Sequence, residues 1–253
     1  MDNITKTREF IDPTLCIMEW RICSAQGASE IIFYRDEDSG TYARMFRFPV
    51  GFGEGVPYKE GEVGFSHDEF DEIVYIVSGG LINRRLGYRY QPGTVAVFPK
   101  GTSHGPFLTP FGILTLEFRH YCKKNKTSDI TKTPEFIEPT SKFQWADCVP
   151  QGYEEMIFYR DEDLGTHARL VRLPVGFGEG VPYKEGKGGF GHDEFDEIVY
   201  IASGGLINKR LGYRYQPGTV AVFPKGTSHG PFEAPFGALT VEFRHYKKNN
   251  KKF

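Results

Sequence analysis

Residues 64–80, GFSHDEFDEIVYIVSGG, return with two substitutions as residues 189–205, GFGHDEFDEIVYIASGG. Each copy sets a histidine and four carboxylates ahead of a β-branched and aromatic run that paired glycines close. A run of this kind reads as a strand, and its alternation puts Glu72, Val74 and Ile76 on one face. A carboxylate among apolar neighbours is costly to bury alone, so Glu72, like Glu197, calls for a metal ion or a basic partner.

The duplication extends far beyond this stretch. Residues 30–121 match 155–246 without a gap at an offset of 125, and 15 of the 92 aligned positions differ. Upstream, TKTREFIDPT (residues 5–14) returns as TKTPEFIEPT (131–140). A period this long suits a whole domain rather than a solenoid repeat. The polar run KKNKTSDI separates the copies, which places domains at 1–125 and 126–253. Within each, EIVYIVSGG, GTVAVFP and ILTLEFRHY are short strand-like runs, and RRLGYRYQPG reads as a hairpin. No window holds a helical period for long. The fold class is all-β, two tandem sandwiches or barrels.

Composition narrows the function. Of 253 residues 39% are hydrophobic and 15% aromatic, enough for a core in each domain. A formal charge of −2 gives no basic field for nucleic acid or anionic membrane, and the lysine runs read as solvated ends. Neither a signal-peptide core nor a run of membrane-spanning length is present, so a soluble cytoplasmic protein with a small-molecule partner is expected. The four cysteines show no C-x-x-C spacing; Cys23 and Cys148, which are equivalent, read as buried or half-buried thiols.

Seven histidines are present, six of them in equivalent pairs. His67 precedes Glu72 by five residues, and His104 lies in PKGTSHGP, a Pro/Gly loop able to hold an imidazole in one place. His67, Glu72 and His104, with His192, Glu197 and His229, form two sets of two histidines and a carboxylate. Such a set suits Fe(II), and also Mn, Ni, Co or Zn, while leaving coordination positions open. Glu69 and Glu194 stand beside the sets as candidate general bases. Asp71 would face away from Glu72 and reads as solvated or salt-bridged. His120 and His245 read as structural, Trp20 and Trp145 as core. On the strand 88–90 either Arg89 or the tyrosines must face inward, and an exposed arginine is the simpler reading.

Gly-x-x-His-x-x-x-Asp-Glu-(x6)-Gly followed by Gly-x5-Pro-x-Gly-x-x-His resembles the two motifs of the cupin superfamily. His67, Glu72 and Gly79 fall on the first motif; Gly93, Pro99, Gly101 and His104 fall on the second, and both motifs recur in the second copy. The resemblance implies two tandem cupin-type double-stranded β-helix (jelly-roll) barrels, a bicupin. Phe65 and Phe190 stand where the usual first motif has its first histidine, which implies three protein ligands instead of four. That set resembles the one in homogentisate and 3-hydroxyanthranilate dioxygenases, although the His-to-Glu spacing there is one residue longer. The upstream strands resemble those of acetylacetone-type cupin dioxygenases. The function implied is a non-haem Fe(II) dioxygenase acting on a small aromatic or dicarbonyl compound. The rivals are a redox-silent isomerase, lyase or cyclase, and a non-catalytic binding bicupin. A monomer suffices, and a homodimer is compatible.

Overall fold

The computed structural model describes residues 10–11, 19–23, 27–59, 64–121, 135–137, 144–148, 152–181 and 189–247. All regular structure among them is β-strand, and no helix is long and apolar enough to cross a membrane.

Contacts divide the chain into two compact units, Met18–Phe143 and Met1–Ile17 with Gln144–Phe253. These boundaries differ from a cut at 125/126. The physical reason is strand pairing at the edge of each main sheet. Phe10–Ile11 pairs antiparallel with Val220–Phe223, and its sequence counterpart Glu135–Ile137 pairs with Val95–Phe98. Each edge strand therefore completes the unit built from the other copy of the repeat.

In the first unit the main sheet has seven antiparallel strands. Their order is Glu135–Ile137, Val95–Phe98, Phe70–Gly79, Ile113–Tyr121, Tyr42–Phe48, Ser29–Arg35 and Arg21–Ile22. Facing it are the three-stranded sheet Phe107–Leu108, Leu81–Asn83, Tyr88–Tyr90 and the pair Ser103–His104 with Phe65–Ser66. Val74, Ile76, Leu81, Tyr90, Phe98 and Phe107 from both layers form one buried cluster. The second unit repeats the plan strand for strand.

Register fixes what faces the interior. Glu72 pairs with Arg119 and Phe98, and Val74 with Glu117 and Ala96. Tyr42 pairs with Arg119, Arg44 with Glu117, and Phe46 with Thr115. Directly opposed residues share a face, so inward rows run across the sheet: Tyr42, Arg119, Glu72 and Phe98, then Arg44, Glu117, Val74 and Ala96. Gly79 closes the central strand at φ +79°, where a Cβ would lie 2.1 Å from the Gly112 carbonyl oxygen, so only glycine fits.

Several sequence expectations change. Trp20 and Trp145 are half-buried beneath Arg47 and Arg172, with guanidinium–ring distances of 4.3 and 4.0 Å, and are not core. Cys23 is exposed and Cys148 half-buried; Cys16 and Cys122 lie outside the described residues. On the hairpin strand Arg89 is exposed and Tyr90 buried, the simpler of the two parities.

Candidate metal centres

The central strand carries Glu72 inward at its first turn of alternation, and the loop ahead of it carries His67. His104 sits on the two-residue strand after the Pro-Lys-Gly-Thr loop, opposite Phe65. His67 Nε2 lies 3.5 Å and His104 Nε2 3.4 Å from Glu72 Oε2. In the second unit both His192 Nε2 and His229 Nε2 lie 3.3 Å from Glu197 Oε2. Within each triad the donor atoms all lie within 4.8 Å of one another. Ligands about 2.1 Å from one ion at octahedral to tetrahedral angles are separated by roughly 3.0–3.4 Å. The imidazole-to-carboxylate distances of 3.3–3.5 Å lie close to that range, so each triad could hold a single ion on one face.

The rings are held from behind. His104 stacks on Phe98 at 4.2 Å and His67 on Phe70 at 4.5 Å, and the second unit does the same with Phe223 and Phe195. Gly64 backs the loop: a Cβ there would fall 2.1 Å from the His104 carbonyl oxygen. Asp71 points outward, as alternation requires, yet it is not a solvated charge. Its Oδ1 accepts from the backbone N–H of Lys100 at 2.7 Å and so fastens the loop leading to His104; Asp196 does the same for Lys225. Asp196 also pairs with Lys247 at 2.7 Å.

The other oxygen of each carboxylate is taken. Arg119 donates from Nε and Nη2 to Glu72 Oε1 at 2.9 and 2.8 Å, and its Nη1 donates to Tyr42 Oη at 2.8 Å. Arg244 Nε donates to Glu197 Oε1 at 2.8 Å. Glu72 thus has both partners its burial calls for: a basic residue on Oε1 and the two imidazoles around Oε2. Burial pushes its carboxyl pKa up, but the hydrogen bonds from His104 and His67 and the Arg119 charge hold it well below the usual carboxylate range. The same opposing causes act on Glu197.

Deeper in the first cavity lies a second charged group that sequence reasoning missed. Arg44 binds Glu117 Oε2 through Nε at 2.7 Å and Nη2 at 2.5 Å, and Glu30 through Nη1 at 2.6 Å. Thr115 Oγ1 donates to Glu117 Oε1 at 2.9 Å. Arg169, Glu242, Glu155 and Thr240 repeat the arrangement. The inward parity of YARMFRF and TLEFRHY collects Arg44, Glu117 and Arg119, and the register between the two strands fixes that parity. Glu69 and Glu194, by contrast, are exposed and line neither cavity. His120 and His245 are buried on the opposite face from the triads, beside Asp71 and Asp196 in register. Phe65 borders the first site with its ring 6.2 Å from that of His104.

With the sheets, register and triads in view, the class is defined: both units have the cupin fold. No family model matches the chain, and no curated protein matches it. Solved structures do. A "putative dioxygenase" from Nostoc punctiforme is similar over 94% of this chain and 82% of its own, at 15% identity and a TM-score of 0.66. A cupin 2 conserved barrel domain protein from Leptotrichia buccalis covers 96% of this chain and 98% of its own, at 11% identity and a TM-score of 0.55. The YlbA protein of Escherichia coli covers 93% and 89%, at 12% identity and a TM-score of 0.58. At such identities the likeness shows the fold.

Proposed function

We propose that the chain is a metal-dependent cupin enzyme with one divalent ion in each unit, Fe(II) favoured, that oxidises a small aromatic or dicarbonyl molecule with dioxygen. His67, Glu72 and His104 would hold the first ion, and His192, Glu197 and His229 the second. The observation that carries this reading is the convergence of three donor atoms in both copies, each with its carboxylate turned by an arginine so that a single oxygen faces the imidazoles. When bound, the ion supplies a Lewis-acid and redox centre with open positions.

The chain's own residues do the rest. Arg119 holds Glu72 by one oxygen, so the other faces the site without a second carboxylate contact. Phe98 and Phe70 fix the imidazole planes. Phe65 fills the place of a fourth ligand and leaves room for a substrate atom. The inner wall, with Phe46, Phe48, Phe98 and Phe107 among its residues, is largely apolar, which favours a flat carbon skeleton and excludes water around it.

Metal analysis of protein reconstituted with Fe(II) should give two ions per chain, and His104→Ala with His229→Ala should give none. Oxygen uptake on aromatic and dicarbonyl substrates should need Fe(II) and disappear in that double variant. Turnover that proceeds without oxygen on Zn or Mn would move the assignment to an isomerase or lyase. A protein that takes up no metal would make it a binding bicupin.

A further inference from the structure

The two triads match, but the cavities above them do not. The first is about 600 Å³ and runs from the triad past Arg44 to Cys23, Ala28 and Glu30. The second is about 290 Å³, and its wall on that side is Tyr153. Ala28 and Tyr153 are the same position of the repeat. Three neighbouring positions change in the opposite sense: Phe46, Phe48 and Ile113 become Val171, Leu173 and Ala238.

The aromatic bulk therefore enters from different strands. In the first unit the Phe46 ring lies against the Arg44 guanidinium at 4.2 Å, and the space over Ala28 is left clear. In the second, Val171 leaves that wall bare, and the Tyr153 ring faces Arg169 at 5.9 Å from the other side. Tyrosine in place of a methyl group closes that side of the barrel, while the smaller Val171 and Leu173, in rows beyond Arg169 as counted from Glu197, widen the wall of the neighbouring strand. These four differences, three of them among the 15 and one just upstream of the aligned span, act on one variable, the distance a ligand can extend inward from the three donor atoms.

We propose that the units take ligands of different length, with Ala28 and Tyr153 as the residues that set it. The inference rests on the metal-site reading above. The first unit takes an elongated molecule, with metal-binding oxygens at one end and a planar apolar body between the rings of Phe46 and Phe98. The Arg44, Glu117 and Glu30 group lines the wall along that body, with Arg44 Nη2 3.9 Å from Glu72 Oε1. The second unit takes a compact aliphatic oxyacid or dicarbonyl that stops short of Tyr153.

Single-site proteins separate the two cavities: His229→Ala keeps the first site and His104→Ala the second. Each is loaded with Co(II) and titrated with acetohydroxamate and with 4-phenylbenzohydroxamate, read by the visible Co(II) bands. Acetohydroxamate should bind both alike. The longer probe should bind the first site and be about 30-fold weaker at the second, the scale of an overpacking penalty. Tyr153→Ala in the His104→Ala background should restore its binding. Ala28→Tyr with Phe46→Val, a near volume-conserving exchange, should remove it from the first site. Equal affinity of the long probe for both sites, or no gain in Tyr153→Ala, would overturn the proposal while the Co(II) bands still attest the metal site. Absence of those bands from both proteins would overturn the metal reading and this inference with it. Should the Ala28→Tyr/Phe46→Val protein not fold, Tyr153→Ala decides alone.

Discussion

Replacing Arg44 with methionine tests whether the charged interior is a balanced network or an incidental one. The Arg44 side chain is 7% exposed, as is that of Glu117, whereas that of Glu30 is 15% exposed. Arg44→Met keeps most of the volume and removes three short bonds to two carboxylates. Glu30 can relax toward water; Glu117 cannot, and keeps only the Thr115 hydroxyl on its other oxygen. Removing one partner of a buried ion pair costs about 3–5 kcal/mol, because the remaining charge is stranded. For a unit of this size that lowers the melting midpoint by on the order of 10–20 °C. One contribution opposes the loss: methionine packs well against Phe46, worth about 1 kcal/mol. The stranding still dominates. Trp20, which stacks on Arg47 in the first unit, reports unfolding of that unit once Trp145 is replaced by phenylalanine. Adding Glu117→Gln to Arg44→Met should recover most of the lost midpoint, since it deletes the unpaired charge and leaves an amide for Thr115. An Arg44→Met midpoint within a few degrees of the parent would refute the reasoning. So would a double variant no better than the single one.

Three further outcomes follow from the same geometry. Phe65→His should add a fourth donor opposite His104 and tighten Mn(II) binding at the first site by on the order of tenfold; competition against a chelator measures it with the second site as reference, and unchanged affinity would contradict the placement of Phe65. Gly64→Ala should weaken metal binding at that site and lower the midpoint, because its Cβ would meet the His104 carbonyl oxygen at 2.1 Å; Gly80→Ala, with 3.6 Å to its nearest atom, is the control and should change neither. The third concerns His167, where burial lowers the imidazole pKa and the bond from Nδ1–H to the Gly165 carbonyl at 2.8 Å offsets part of the shift. The folded state then binds fewer protons than the unfolded state, so stability is full above the unfolded value of about 6.5 and falls as pH drops through it toward the folded value. His167→Tyr, which copies Tyr42, should flatten that part of the urea-midpoint profile; parallel profiles would show that His167 does not titrate with unfolding.

Much of this was legible in the residues. The triads, the strand carrying Glu72 and the Pro/Gly loop carrying His104 could be read because spacing and alternation act over a few residues. The arginine network was harder to read. YARMFRF is buried on both faces up to Phe46, so its hydrophobic pattern does not announce a parity, and Arg44 and Arg47 look alike in sequence while one is buried and the other exposed. Only the register with Glu117 distinguishes them. Asp71 was read correctly as pointing away from Glu72, but its backbone partner at Lys100 is 29 residues distant, beyond any local pattern. Trp20 and Cys23 flank the two-residue edge strand Arg21–Ile22, which has one neighbour in its sheet, and a single neighbour leaves Trp20 half-buried and Cys23 exposed.

The unit boundaries lay further still from local pattern. A repeated strand specifies the groove it fits, and when the repeat occurs twice the sequence offers two equal grooves. Phe10–Ile11 and Glu135–Ile137 answer that choice crosswise. A gene cut at the visible repeat, 1–125, therefore makes a protein whose Val95–Phe98 strand has an open edge and whose own Phe10–Ile11 belongs elsewhere. Such a half can close its edge by folding its first strand back onto its own groove, or by lending that strand to a second half and borrowing one back. A cut at 18–143 keeps the edge covered and needs no partner. Written once, the repeat is the recipe for a reciprocal pair of chains; written twice in tandem, it carries both donors and both acceptors in one polypeptide, at a fixed ratio and without dependence on concentration.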